Sequence, residues 1–225
     1  MNFAGAVQVA GIRNVHEARM VLDCGADLLG FPLRLPVHHP DLSEAAARCV
    51  MEDVGRETCV LITYETDPVQ LIDLCRYLQV GIVQIHALVG PEILARIKAS
   101  SKLRIIKSYV VGREELEPEA FVRLYAPWCD AFITDTFDPS TGASGATGRV
   151  HDWSVSAALV QASLRPVILA GGLTPGNVRQ AILTVRPAAV DVHTGVEAGD
   201  GAKDPALVRA FVHEARAAFA MTLAA

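Results

Sequence analysis

The feature that most constrains the fold is a unit that recurs along the chain: a short apolar run, a turn and then a helical stretch. In the first unit the run is Val7–Ala10, and Asn14 followed by Glu17 is an N-capping pattern that starts a helix ending near Gly25. Strands that alternate with helices pair in parallel, because each helix returns the chain to the same edge of the sheet. The pattern therefore predicts an α/β fold built on a parallel sheet.

Eight such units can be counted, and polar residues, glycines or prolines separate them. The predicted strands are Val7–Ala10, Asp27–Phe31, Cys59–Tyr64, Gly81–His86, Leu103–Tyr109, Asp130–Thr134, Pro166–Ala170 and Ala188–Val192. The predicted helices after the first are Ser43–Val54, Pro68–Leu78, Pro91–Ala99, Pro118–Tyr125, Trp153–Ala162, Pro175–Val185 and Pro205–Phe219. Several helices begin with proline, whose missing N–H costs nothing at the first helical position.

Eight units within 225 residues favour a closed (β/α)8 TIM barrel that occupies residues 1–225 as a single domain. A flavodoxin-like, doubly wound sheet also alternates strands and helices, but it usually needs only about five or six strands. Closure of the sheet removes the two edge strands that an open sheet would expose. We therefore expect the barrel.

Charge and composition exclude several kinds of partner. The formal net charge is −5 and the lysines and arginines are not clustered, so we expect no binding to nucleic acid. No apolar run reaches the roughly 18 residues of a membrane span and no signal peptide is visible, so we expect a cytoplasmic protein without membrane contact. The sequence leaves open whether the protein is a monomer or a homodimer.

The cysteines and histidines give no sign of a metal site. Histidines and carboxylates lack the spacing of a ligand set, so we expect neither a metal nor another cofactor. The five cysteines lie far apart without a CxxC pair, and we expect all of them to be reduced and buried. They are Cys24, Cys49, Cys59, Cys75 and Cys129.

In a barrel of this kind the active site lies at the carboxyl ends of the strands. The last two predicted strands are followed by Gly171-Gly172 and by Thr194-Gly195. Glycine amides can approach an anion without a Cβ in the way, and the threonine hydroxyl adds a donor. Tight turns alone would explain a single Gly-Gly pair, but glycine turns after both strands predict a site for a phosphorylated small molecule.

Ionisable side chains end several other predicted strands. Asp135 can serve as a general acid or base, or as a turn former for the loop that follows. For His86 and His193 a catalytic role and a hydrogen-bonded structural role are equally open. Lys107, flanked by apolar residues, could bind a phosphate or carboxylate or belong to a buried salt bridge. Further candidates for the site are Arg34, His39 and Asp191.

Several longer stretches carry residues that are typical of one enzyme family. They are residues 9–12, 25–31, 83–86, 130–135, 145–148, 152–153, 167–175 and 190–197. Over nearly its whole length the chain resembles phosphoribosylanthranilate isomerase, a barrel enzyme of tryptophan biosynthesis that rearranges an aminoaldose to an aminoketose. The resemblance implies an Amadori-type reaction, in which a general acid opens the ribose ring and a base then removes the C2 proton.

The resemblance also implies roles for single residues. Asp135 stands where the family has its general acid, and His86 and Asp191 match positions near the substrate. The residues that fall in the family's phosphate loops are Gly171, Gly172 and Gly195.

Three positions depart from the family pattern. The family's general base is a cysteine directly before the Gly-Ile pair after the first strand, and this chain has Ala10 there. The family's arginine for the anthranilate carboxylate aligns with His39, and Arg34 is an alternative nearby. His193 replaces a small hydroxyl residue. A base would then have to come from elsewhere, and His39, His86 and His193 are candidates because imidazole has a suitable pKa.

Three functions remain open from the sequence. The first is isomerisation of phosphoribosylanthranilate or of a related aldose phosphate. The second is another reaction on a phosphorylated sugar, by a lyase, an aldolase or an epimerase, in which Lys107 would form a Schiff base. The third is binding of a phosphorylated ligand without catalysis, which the methyl side chain of Ala10 would permit. The fold cannot choose among them, since barrels host many chemistries.

Overall fold

The computed structural model describes residues 3–36, 41–138, 143–144, 148 and 150–223. The strands in this part of the chain are β1 (Ala6–Ala10), β2 (Leu28–Leu33), β3 (Cys59–Thr63), β4 (Ile82–Ile85), β5 (Arg104–Val111), β6 (Ala131–Asp138), β7 (Ala143–Ser144), β8 (Val167–Leu169) and β9 (Ala189–Val192). The α-helices are α1 (Val15–Asp23), α2 (Glu44–Val54), α3 (Pro68–Leu78), α4 (Pro91–Ser100), α5 (Pro118–Tyr125), α6 (Trp153–Ala162), α7 (Val178–Val185) and α8 (Pro205–Leu223).

Eight of these strands form one closed, parallel barrel. Strands β1 to β6 are hydrogen-bonded in chain order, β6 then pairs with β8, β8 with β9, and β9 with β1. The predicted (β/α)8 barrel is confirmed, and each predicted strand is present to within a few residues. The additional strand, β7, is a two-residue segment that pairs antiparallel with the end of β6. A segment of two residues is too short to produce a periodic pattern, so the sequence does not predict this strand.

Helix α7 begins later than the sequence predicts. The prediction places its start at Pro175, whereas the helix starts at Val178. The side chain of Asn177 accepts a hydrogen bond from the Thr174 amide (2.8 Å) and donates one to the Gly172 carbonyl (3.0 Å). These bonds hold the preceding residues in a turn, because they replace the contacts that a first helical turn would make.

Helix α8 is longer than the sequence predicts. It runs to Leu223 instead of ending at Phe219.

Among the described residues, no helix is both long enough and apolar enough to cross a membrane. All five cysteines are free thiols, but Cys49 is exposed, which corrects the expectation that all are buried. Cys49 lies on α2, whose buried side is formed by Ala47, Val50 and Met51.

The apolar side chains form two clusters on opposite sides of the sheet. One cluster takes alternate residues of the barrel strands, for example Ala6 and Ala10 of β1, Ile133 of β6 and Ala189 of β9. The other takes the intervening strand residues together with the buried faces of the helices. Successive residues of a strand point to opposite faces. The first cluster therefore fills the barrel interior. A strand residue an even number of positions from a member of this cluster on the same strand also points inward.

Candidate active site

A row of hydrogen-bonded polar side chains crosses the barrel interior. Gln8 of β1 donates from Nε2 to Oε1 of Gln84 on β4 (3.1 Å), and Gln84 Nε2 lies 2.6 Å from Nε2 of His86. Strands β1 and β4 are not neighbours in the barrel, so the row runs through its inside. All three side chains are buried. Burial of a polar group is costly unless it is hydrogen-bonded, so these bonds hold the row in place.

His86 is a neutral hydrogen-bond donor in this arrangement. The amide nitrogen of Gln84 can only donate, so His86 accepts at Nε2 and carries its proton on Nδ1. That Nδ1 has no hydrogen-bond partner among the described residues. Burial is the main cause that lowers the pKa of His86 to about 3, and the charge of Lys107 is a smaller one. The ring packs beside Tyr64, with the ring centroids 5.4 Å apart.

Two carboxyl groups point inward from β6 and β9. The two residues are Asp135 and Asp191, and each is 7% exposed. Burial raises the pKa of each carboxyl to about 7. The Thr136 amide donates to Oδ1 of Asp135 (2.8 Å) and opposes that rise, whereas the charge of Asp191 adds to it. Two buried carboxyls whose charges repel hold a proton close to neutral pH.

The glycines after β8 and β9 bring two loops into contact. Gly171 and Gly172 have φ angles of +94° and +64°, which L side chains rarely adopt. A Cβ at Gly195 would overlap the carbonyl oxygen of Leu173, so the two loops touch at backbone level. Among the backbone hydrogen bonds of the described loops, none has the amide of Gly171 or Gly172 as its donor. These amides are therefore available to an anion.

Thr194 and a third loop complete the group around the glycines. Thr194, in the loop after β9, begins a 3-10 helix that ends at Val196, and the first amides of a helix have no acceptor within it. A Cβ at Gly148, in the loop that follows β6, would lie 3.5 Å from Oγ1 of Thr194. The predicted phosphate residues are thus brought together at one side of the barrel mouth, next to Asp135 on β6.

His193 packs on the loop that follows β1. A Cβ at Gly11 would overlap the His193 ring, so the imidazole lies directly on the Gly11 backbone, next in sequence to Ala10. Nε2 of His193 is 3.4 Å from Oε1 of Glu197. Nζ of Lys203 donates to the same oxygen (2.6 Å) and to the His193 carbonyl (3.2 Å). The ring therefore stands at the carboxyl end of β1 and is held from the side by a carboxylate.

Lys107 lies on the outer side of the barrel strands, a position that does not favour the substrate-binding role expected from the sequence. It is out of step with the interior cluster, and its Nζ donates to the carbonyl oxygens of Ala87 (2.9 Å) and Ser108 (3.3 Å). Nζ also lies 5.5 Å from the centroid of Tyr125 and 5.9 Å from that of Phe121, both on α5. The side chain is thus buried between the barrel and its helices, because position 107 has the outward-facing parity.

Arg34 reaches the mouth of the barrel but is already engaged. Its guanidinium donates from Nε to Glu44 Oε1 (2.8 Å) and from Nη1 to Glu65 Oε2 (3.0 Å). Two carboxylates therefore balance its charge before any substrate carboxylate arrives. His39, the other candidate for that role and for the base, lies outside the described residues.

A second hydrogen-bonded group, which the sequence does not predict, lies beside Asp135. His151, after the loop that follows β6, pairs through Nδ1 with Oγ1 of Thr136 (2.9 Å) and through Nε2 with Oγ of Ser156 (2.6 Å). A Cβ at Gly171 would overlap Oγ1 of Thr136, so this group also supports the phosphate loop. Burial lowers the pKa of His151 to about 4, so its ring is neutral.

Some of the missed residues carry a signal in the sequence. Gln8 and Gln84 interrupt apolar runs that otherwise read as fully buried strands. A polar residue in such a position needs a buried partner, and that requirement could have identified both. His151 carries no such signal, because it lies in a loop, where a polar residue does not interrupt an apolar run. Among the described residues, no group of three His, Cys, Asp or Glu side chains is arranged to hold a metal ion.

Comparison with known proteins identifies a family. The family model for N-(5'-phosphoribosyl)anthranilate (PRA) isomerase matches residues 7–214. The N-(5'-phosphoribosyl)anthranilate isomerase of Desulforudis audaxviator is 39% identical over 215 residues, which cover 94% of this chain and 98% of that protein.

Solved structures give the same result. Monomers generated from the dimeric phosphoribosylanthranilate isomerase of Thermotoga maritima superpose with a TM-score of 0.79 at 29% identity, covering 94% of this chain and 98% of theirs. A phosphoribosyl anthranilate isomerase in complex with reduced 1-(o-carboxyphenylamino)-1-deoxyribulose 5-phosphate gives a TM-score of 0.76 at 28% identity, with coverage of 94% and 98%. By sequence and by fold, this chain belongs to the phosphoribosylanthranilate isomerase family.

Proposed function

We propose that this chain isomerises N-(5'-phosphoribosyl)anthranilate to 1-(o-carboxyphenylamino)-1-deoxyribulose 5-phosphate, a step of tryptophan biosynthesis. The observation that carries the proposal is Asp135, a buried carboxyl with a pKa of about 7 that stands next to two glycine loops. The relative solved with the reduced form of this product, and the relatives named for the reaction, support the choice of substrate.

The phosphate of the substrate is proposed to bind at the loops after β8 and β9. The amides of Gly171, Gly172 and Gly195 and the hydroxyl of Thr194 supply donors without a charged side chain. Asn177 fixes the first loop through its bonds to the Gly172 carbonyl and the Thr174 amide. A preformed set of donors loses little conformational freedom when the anion binds.

Asp135 is proposed to act as the general acid. In the substrate, C1 of the ribose carries both the ring oxygen and the anthranilate nitrogen. When Asp135 gives its proton to the ring oxygen, the C1–O bond breaks and the nitrogen lone pair forms a C1=N bond. An acid with a pKa near the working pH is both protonated often enough and acidic enough for this step. His86 is proposed to donate from Nδ1 to the opened sugar, because that atom has no partner among the described residues.

The contacts to the anthranilate carboxylate are proposed to differ from the family pattern. Arg34 is paired with Glu44 and Glu65, so we assign it the task of fixing the start of α2 against the end of β3. His39 remains our candidate for the carboxylate partner on the basis of its position in the sequence. We further propose a single-domain cytoplasmic enzyme without a cofactor that is a monomer or a homodimer; the Thermotoga maritima relative is described as dimeric.

The proposed function is tested by following the fluorescence of phosphoribosylanthranilate after addition of the purified protein. We expect catalysed loss of the fluorescence and formation of the carboxyphenylamino product. Asp135→Asn keeps the shape of the side chain but cannot supply the proton, so we expect its kcat to fall by about 10²- to 10⁴-fold. The matched control is Asp73→Asn, an exposed carboxylate on α3, for which we expect wild-type rates. Absence of turnover by the wild-type protein would refute the proposal.

A further inference from the structure

The proposed reaction needs a base as well as an acid, and β1 offers none. After the ring has opened, a group must remove the proton on C2. Ala10 is the last inward-facing residue of β1, and its methyl group cannot accept a proton. The base must therefore come from another side chain that faces the barrel interior near the end of β1.

We propose that Asp191 is this base, so that the two carboxyl groups on β6 and β9 divide the acid and base roles between them. This inference rests on the proposed function. Asp191 belongs to β9, the strand that pairs with β1, and stands opposite Gln8 in the register of the two strands. Asp191 is thus an ionisable side chain that faces inward from the strand next to β1. Its partner Gln8 lies one inward-facing position deeper in the barrel than Ala10.

The register of the neighbouring strands places Asp135 and Asp191 on alternate barrel strands, with β8 between them. Ile133 pairs with Ile168, and Leu169 pairs with Val190. Continued toward the mouth, the same offsets put Asp135, Ala170 and Asp191 in one row across three neighbouring strands. The residue between the two carboxyl groups carries only a methyl side chain.

The surroundings of Asp191 leave one of its oxygens ready to act. Oδ1 is buried and has no hydrogen-bond partner among the described residues. The charged and polar groups that act on the carboxyl are Gln8, which donates a hydrogen bond to it, Lys203 and Asp135. Gln8 is itself fixed by its bond to Gln84 (3.1 Å). The carboxylate is thus held by Gln8, while Oδ1 keeps a lone pair that no described residue uses.

The proton balance of the reaction fits such a pair. Before reaction, Asp135 carries one proton and Asp191 carries none. Asp135 first gives its proton to the ring oxygen. Asp191 then takes the proton from C2. The electrons of the C2–H bond form the C1=C2 bond, and the electrons of the C1=N bond return to nitrogen. In the last step Asp191 returns its proton to C1, and the C2 hydroxyl gives its proton to Asp135. Both groups end as they began, and no other reactant is required.

The histidines near the site fit the base role less well. The lone pair of His86 Nε2 is occupied by the Gln84 amide, and burial lowers the pKa of this ring to about 3. Nε2 of His193 faces Glu197, so one of its nitrogens is committed to the side of the barrel. His193 nevertheless lies near Ala10, and the test must separate it from Asp191.

The test compares wild type, Asp191→Asn, Asp191→Ala and His193→Gln, with Asp73→Asn as the matched control. The first readout is kcat and KM with phosphoribosylanthranilate and with its C2-deuterated form. The second is rescue of Asp191→Ala by sodium formate against sodium chloride at equal ionic strength. Formate can enter the space left by a carboxylate and accept the proton, which a structural role would not reproduce. Thermal melting of each variant verifies that it is folded.

We expect kcat of Asp191→Asn to fall by about 10²- to 10⁴-fold with KM changed less than about threefold. We expect a larger deuterium effect on its residual rate, and at least a tenfold increase of the Asp191→Ala rate with formate. His193→Gln should lose at least about tenfold less than Asp191→Asn. An Asp191→Asn rate close to that of wild type, absence of formate rescue, or an equal loss in His193→Gln would overturn the base assignment. Any of these results with an active wild type leaves the proposed function standing, whereas an inactive wild type removes both.

Discussion

Gly195 lies so close to the carbonyl oxygen of Leu173 that a Cβ at position 195 would overlap it. The contact joins the loop after β9 to the loop after β8, and together they form the proposed phosphate site. Glycine is therefore required at position 195 by the approach of the two backbones, in addition to any amide that it presents to the anion. The φ angle of Gly195 is not positive, so glycine is required there by the lack of space and not by the backbone conformation.

We predict that Gly195→Ala separates the two loops and weakens phosphate binding. A methyl group that overlaps a backbone oxygen forces one loop to move, and such overpacking costs about 1–3 kcal/mol of the free energy of unfolding. We expect the Kd for inorganic phosphate, measured by titration calorimetry, to rise at least tenfold. The control is Gly199→Ala, where a Cβ would meet no heavy atom within 4 Å. Equal Kd values for the two variants would contradict the assignment of this contact.

The buried carboxyls predict an unusual dependence of stability on pH. The pKa of Asp191 is raised from 3.8 to about 7 in the folded protein, so the folded state binds more protons than the unfolded chain between these values. The free energy of unfolding must then fall as pH rises from about 4 to 7. Asp191→Asn removes this contribution, and we expect it to be more stable than wild type by on the order of 2 to 4 kcal/mol at pH 8, before allowance for its coupling to Asp135.

Urea denaturation of both proteins at pH 5 and pH 8 measures this difference. The advantage of Asp191→Asn should be larger at pH 8, where the wild-type carboxyl is ionised. A difference that stays constant with pH would show that the Asp191 carboxyl has an ordinary pKa. A variant that gains stability and loses activity also fits the trade-off that is common at functional sites.

His151 is predicted to hold the proposed acid in position. His151→Phe removes both hydrogen bonds of the ring and leaves the hydroxyls of Thr136 and Ser156 without this partner. We expect the free energy of unfolding to fall by about 1–3 kcal/mol for each hydroxyl. Thr136 donates its amide to Asp135, so we also expect kcat to fall by about tenfold while the Kd for phosphate changes less. Steady-state kinetics and urea denaturation measure the two effects.

The pH dependence distinguishes this role of His151 from a simple loss of packing. Its pKa is lowered from 6.5 to about 4 in the folded protein, so the unfolded chain binds more protons between these values. Wild type should therefore lose stability as pH falls from 6.5 to 4, and His151→Phe should lose less. The matched control is His213→Gln, an exposed position on α8. If this control reproduced the change in slope, the interpretation of His151 would be wrong.

The barrel and the location of its site could be predicted because they follow from local patterns. Each apolar run is followed by its helix, and the active site of such a barrel lies at the carboxyl ends of the strands. The sequence therefore predicts Asp135 and Asp191 at the mouth, because they end apolar runs. The face of a residue is harder to read where a strand is apolar on both sides. Lys107 follows Ile106 of the interior cluster, so it faces outward, although its chemistry alone suits a substrate contact.

Other features of the site depend on contacts between distant parts of the chain. The packing of His193 on Gly11 joins residues at opposite ends of the sequence, and the bond between Gln8 and Gln84 crosses the barrel. The pairing of Arg34 with Glu65 likewise depends on where β2 and β3 end. Sequence patterns describe the faces of single elements, so such partners appear only when the elements are assembled.

Lys107 is predicted to act on stability and not on catalysis. Its Nζ is held by the carbonyl oxygens of Ala87 and Ser108 on the outer side of the barrel, and burial lowers its pKa from 10.5 to about 8. Lys107→Met fills a similar volume without the ammonium group, so we expect kcat to stay within about threefold of wild type.

Because the unfolded chain binds more protons than the folded one between pH 8 and 10.5, wild type should gain stability over Lys107→Met across this range. Lys102→Met, at an exposed position, controls for the loss of a positive charge. A large loss of kcat in Lys107→Met, or reduction of the wild-type protein with borohydride that attaches a sugar phosphate to it, would return Lys107 to the site.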